Sequence, residues 1–85
     1  MWKKDMYLYI GKDYIINNNS IVGIFNLDYV KNTKEFKSFR SNLEEQGAVI
    51  NIADKEERSL ILVNNNKSKA YITKLNVNTV LKRLI

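Results

Sequence analysis

The rhythm of apolar and polar positions changes several times along this chain, and each change marks an element. The densest apolar block runs from Met6 to Leu27, MYLYIGKDYIINNNSIVGIFNL. It divides into Tyr7 to Ile10, Tyr14 to Ile16 and Ile21 to Phe25, separated by Gly11-Lys12-Asp13 and Asn17-Asn18-Asn19-Ser20. Tyr, Ile, Val and Phe suit a pleated, half-buried surface, whereas Gly and Asn tolerate the positive φ of tight turns. The block therefore predicts three short strands. Asp28 to Lys31 reads as a connector. Beyond it the period lengthens: Phe36, Phe39 and Leu43 recur at i, i+3 and i+7, the apolar stripe of a helix. Asn32 and Glu35 have the spacing of a capping box, and Gly47 stands where a helix C-cap belongs, so the expected helix spans Thr33 to Gln46.

After Gly47 the strand rhythm returns. Ala48 to Ala53 predicts a strand, Asp54 to Glu57 a charged turn, and Arg58 to Val63 a second strand. Its run Leu60-Ile61-Leu62-Val63 is continuous rather than alternating, which predicts a strand buried on both faces or a subunit contact. Asn64 to Lys67 reads as a turn of four residues leading into a partner strand, Lys69 to Thr73. In the tail, Val77, Leu81 and Leu84 share a helical face, with Asn76 or Asn78 as cap and Lys82 and Arg83 in the last turn. The order strands, helix, strands, helix gives an α+β class: a small, mainly antiparallel sheet with one longer helix (33–46) and a short C-terminal helix. Residues 6–85 read as a single domain, and Met1 to Asp5 as a leader or added extension.

Composition removes whole classes of chemistry. Among the 85 residues there is neither cysteine nor histidine, so thiolate nucleophiles, disulfides, the commonest metal ligand and the commonest general base are absent. Gly11, Gly23 and Gly47 are too scattered for a phosphate loop. Asp54, Glu56 and Glu57 are interleaved with Lys55 and Arg58 and do not have the spacing of a calcium loop. The expectation is a non-enzyme that needs no cofactor. No stretch is long and apolar enough to span a bilayer and no signal peptide is visible, so a cytoplasmic location without membrane partners is expected. The net charge of +5 is mild, and suits either a phosphate-binding surface or ordinary solvated lysines. Tyr7 and Tyr9 share one face of the first strand, where they could stack on bases, pack a sheet or form a subunit interface. A domain this small buries a modest fraction of its surface, and oligomerisation would supplement it.

The block Met6 to Ile16, followed by Ile21 to Asn26, resembles the opening of the RemA/RemB family of small bacterial regulators of extracellular-matrix and biofilm genes, most closely the RemB branch. The close Thr79-Val80-Leu81-Lys82-Arg83-Leu84 is similar to the family's Thr-Val-x-x-Arg-Leu ending. This resemblance implies a subunit that assembles into a ring. In the RemA branch the ring binds DNA and activates transcription through a fold resembling the LytTR DNA-binding domain. The RemA branch has an arginine where this chain has Ser20, and an arginine pair where it has Lys55 and Glu56. One position keeps its charge, one is neutral and one is reversed; Arg58 matches a family arginine. Lys55 and Arg58 are thus the candidate phosphate contacts.

Two functions follow. The first is a ring-forming regulator that binds double-stranded DNA through Lys55 and Arg58. The second is an oligomeric protein-interaction module that does not itself bind DNA.

Overall fold

The computed structural model describes residues 7–84, so the expected leader lies outside the described residues. The N-terminal block folds as β1 (Tyr7–Gly11), β2 (Tyr14–Asn17) and β3 (Ile21–Asn26). β1 and β2 form a hairpin in which Gly11 pairs with Tyr14. The two residues between them, Lys12 and Asp13, both have positive φ (48° and 66°), as a type I′ turn requires. The Asn-rich segment becomes a 3-10 turn, Asn18–Ser20, capped by Asn17, whose Oδ1 accepts from the Asn19 N–H at 2.8 Å.

The connector expected after β3 is a one-turn helix, α1 (Leu27–Val30), capped by the Asn26 side chain. The main helix is α2 (Lys34–Glu45). Its cap is Thr33 rather than Asn32: the Thr33 hydroxyl accepts from the Phe36 N–H at 3.2 Å. Both residue types cap helices, Asn somewhat more strongly than Thr, so local preference alone does not select Thr33. At the other end Gly47 has φ 68°. Its N–H reaches the Glu44 carbonyl and the Ala48 N–H reaches the Leu43 carbonyl, the paired bonds of a Schellman motif.

β4 (Val49–Asn51), β5 (Ser59–Asn65) and β6 (Lys67–Thr73) follow. The strands form two sheets: the β1–β2 ribbon, and a four-stranded sheet in the order β3-β5-β6-β4. All pairings are antiparallel except β4 with β6, which is parallel. The β5–β6 hairpin closes more tightly than the four-residue turn expected, with Asn65 paired to Lys67 about Asn66 at φ 73°. The last helix, α3 (Val77–Leu84), is capped by Asn76, whose Oδ1 accepts from the Thr79 N–H at 2.8 Å. Its buried position is Val80, with Leu84 packed alongside, whereas Leu81 is exposed. The expected stripe through Leu81 is therefore corrected by one position.

The four-stranded sheet is the middle layer of three. On one face α1 and α2 bring Leu27, Phe36 and Leu43 onto Leu60, Ala70 and Ile72. On the other, the β1–β2 ribbon and α3 bring Leu8, Ile10, Ile16 and Val80 onto Ile61 and Val63. Neighbours along a strand point to opposite faces. The continuous run in β5 thus fills both interfaces within one chain, which settles its two-sided burial without a subunit contact. Side chains pin the ribbon to the body: the buried Thr73 hydroxyl donates to the Ile10 carbonyl at 2.8 Å, and Arg83 donates to the Tyr9 carbonyl at 2.8 Å.

Candidate nucleic-acid interface

Lys55 and Arg58 both lie on the segment that carries the chain from β4 to β5. The segment begins with a turn in which the Glu56 N–H reaches the Ala53 carbonyl at 3.1 Å and Asp54 takes a left-handed φ of 58°. Asn51 holds both ends of it. The Asn51 Oδ1 accepts from the Ala53 N–H at 2.9 Å, and its Nδ2 donates to Glu57 at 2.7 Å. Arg58 is fixed through its backbone, its N–H on the Thr73 carbonyl and its carbonyl on the Leu27 N–H, both at 3.0 Å.

Beneath the turn, Arg40 of α2 meets Glu57 with two parallel bonds, Nη1 to Oε1 at 2.8 Å and Nη2 to Oε2 at 3.0 Å. Its Nε reaches Glu44 at 3.3 Å. The sequence exposes the Arg40–Glu44 relation through its i, i+4 spacing, but gives no local signal for Glu57, seventeen residues away. Glu57 is therefore part of a structural clamp rather than of a solvated turn. The bidentate geometry and half-burial make it a stronger contact than an exposed pair. Hydrogen bonding from Arg40 holds the Glu57 carboxyl below the usual carboxylate range, against the opposing effect of desolvation. The same bonds raise the Arg40 pKa.

A carboxylate whose folded pKa is depressed contributes stability above its unfolded pKa and loses it as the pH falls through the folded value. Glu57→Gln is therefore expected to lower the urea midpoint at pH 7. The gap to wild type should narrow as the pH drops below about 4.3, the unfolded glutamate value. A gap that stays constant from pH 7 to pH 3 would remove the clamp from the account of stability.

The cations at this end differ in availability. Lys12 is paired with Asp54 at 2.7 Å, and its hydrogen bond lowers the Asp54 pKa. Arg58 Nε stands 3.3 Å from Asp28, with the Arg58 side chain 44% exposed. Lys55 is exposed and has no ion pair or hydrogen bond among the described residues. Exposed Glu56 stands next to it. Among the described residues the apex thus presents Lys55 without a partner, the Glu56 carboxylate and an arginine paired with Asp28, on a well-braced frame.

Ser20 does not join them. It precedes β3 at the end where Ile21 pairs with Val63, whereas Arg58 precedes β5 at the end where Asn26 pairs with Ser59. Some six residues at about 3.3 Å each separate the two ends by about 20 Å. Lys67 and Lys69 lie at the Ser20 end, as the hairpin topology predicts. Tyr7 and Tyr9 are 62% and 50% exposed, so within the protomer they do not pack the sheet. No group of metal-ligating side chains occurs among the described residues, and none of the described helices is long and apolar enough to cross a membrane.

A family model described as RemA-like, extracellular matrix regulatory protein A-like, matches residues 7–84, which spans every described element. No curated protein matches the chain.

Proposed function

The chain belongs to the RemA-like family of extracellular matrix regulatory proteins, and from that premise we propose that it is a ring-forming, DNA-binding transcriptional regulator of matrix and biofilm genes, acting in the cytoplasm. The opening block Met6 to Ile16 supports the RemB branch within the family. Membership in a regulatory family agrees with a surface whose chemistry is charge rather than catalysis.

The observation that carries the DNA reading is the braced turn. A lysine without a partner among the described residues and a half-exposed arginine sit three residues apart on a segment fixed by Asn51, Glu57 and the backbone of Arg58. Preorganised cations of this kind position a protein on a phosphate backbone without reading sequence. A single protomer offers few such contacts; a ring repeats them, and multivalency raises affinity without any new contact.

Specific surface features favour the alternative, an oligomeric interaction module. Tyr7, Tyr9 and Ile15 form an exposed apolar face on the β1–β2 ribbon, and Phe25, Val30, Phe36 and Phe39 line an open apolar groove. Light scattering coupled to size exclusion, with and without a DNA duplex at low salt, separates the readings. The regulator reading expects an oligomer that co-elutes with duplex and releases it as salt rises. An oligomer that ignores duplex at every salt concentration selects the module, and a strict monomer defeats both.

A further inference from the structure

The opposite end of the sheet holds cations that the turn at residues 53–58 does not use. A cavity of about 220 Å³ opens there between the 3-10 turn and the β5–β6 hairpin, bordered by Asn17, Ser20, Asn65, Lys67, Lys69 and Tyr71. Lys67 and Lys69 are two residues apart on β6 and so occupy one face of it, opposite Asn65 and Val63.

Lys12, Arg40 and Arg58 each have a carboxylate partner, whereas Lys67 and Lys69, like Lys55, have none among the described residues. Among the described residues no carboxylate lines the cavity. Nor does one line the neighbouring depression of about 430 Å³, which the same two lysines share with Gly47 and Ser68. Two like charges on adjacent same-face positions of a strand repel each other. An anion between them would relieve that repulsion. The remaining lining supplies neutral donors: the Ser20 and Tyr71 hydroxyls and the amides of Asn17 and Asn65. The Asn17 Oδ1 is already committed to the Asn19 N–H, which leaves its NH₂ as the group available to a ligand.

We propose that this cavity is an oxyanion site that takes a phosphate group between Lys67 and Lys69, with the Ser20 hydroxyl and the Asn17 amide as supporting donors. The DNA reading supplies the source of that phosphate but not the argument for the site. On a duplex the cavity is a second backbone contact, about 20 Å from Lys55 and Arg58 along the strands. That separation corresponds to about six base-pair steps of about 3.4 Å.

Two arms test the site with the double variant Lys67→Gln/Lys69→Gln, whose substitutions are exposed and whose fold is checked by circular dichroism. In the first, fluorescence anisotropy follows a labelled duplex across a salt series. The variant is expected to bind about tenfold more weakly at 0.1 M salt, with the slope of log K against log salt smaller by about two. In the second, the Tm is measured in inorganic phosphate and in sodium chloride at matched ionic strength. Phosphate is expected to raise the Tm of the wild type beyond that of the variant, because only a bound ligand stabilises by mass action at the mutated site. A loss of slope in the first arm supports the site with DNA as its source. A phosphate-specific Tm shift alone supports it with free phosphate as the source; if wild type then binds no duplex, the DNA reading falls while the site stands. A variant indistinguishable from wild type in both arms overturns the proposal, whether or not duplex binds.

Discussion

Leu60→Ala and Ile61→Ala are each expected to destabilise the protein by about 2–5 kcal/mol, and together by about 4–10 kcal/mol. Both side chains are fully buried, yet they support different halves of the molecule. Leu60 packs with Leu27, Phe36 and Leu43 beneath the helices, while Ile61 packs with Leu8, Ile10 and Val80 beneath the ribbon. A chain of 85 residues has a total stability of about 4–13 kcal/mol at about 0.05–0.15 kcal/mol per residue. Two cavities on opposite faces together cost about 4–10 kcal/mol, a sum comparable to that whole stability. Urea midpoints at a fixed protomer concentration check this, since any assembly makes stability depend on concentration. A cost under about 1 kcal/mol at either position contradicts the three-layer packing, because truncating a filled core position cannot be that cheap.

Reversing both charges of the braced turn, Lys55→Glu with Arg58→Glu, is expected to weaken duplex binding at least a hundredfold at about 0.1 M salt. On the proposed reading the change removes two phosphate contacts and replaces them with two repulsive carboxylates beside Glu56. The fold should persist. Lys55 has no partner among the described residues to lose, and an exposed pair such as Arg58–Asp28 is worth only about 0–1 kcal/mol. Glu56→Gln makes the opposite prediction, several-fold tighter binding, because it deletes an anion from the same apex. Effects of opposite sign on one turn cannot come from general damage. If affinity measured by anisotropy is unchanged in both variants, the turn is not a DNA contact, and the interaction-module reading gains.

The local elements were largely legible because their signals are local. The turn at Gly11-Lys12-Asp13, the Gly47 cap and the two-sided burial of β5 are written in adjacent residues, although the positive φ at Lys12 and Asp13 is not. The parallel pairing of β4 was not, since Val49 to Asn51 is only three residues long and its partner is chosen by the whole β4-to-β6 path. The phase of α3 slipped because Val80 and Leu81 are equally apolar, and only the position of the ribbon decides which one is buried. The candidate site shows the same division. That Lys55 and Arg58 occupy one end of the sheet, and Lys67 and Lys69 the other, follows from hairpin connectivity alone. That Arg58 is half-neutralised by Asp28, and that Glu57 is a clamp for Arg40, depends on contacts thirty and seventeen residues apart, which no spacing rule reveals.

The fastening of the β1–β2 ribbon by Thr73 and Arg83 has a consequence for biosynthesis. Those bonds join residues 63 and 74 positions apart. The ribbon is the first part of the described fold to leave the ribosome, yet the surfaces that cover Leu8, Ile10 and Ile16 are among the last to be made. A nascent chain therefore carries an uncovered apolar ribbon until translation has passed α3. Long-range closure of this kind slows folding and lengthens exposure to aggregation. Ribosome-stalled chains truncated before Lys74 should accordingly bind a chaperone such as a hydrophobic-segment holdase, and release it once α3 has emerged.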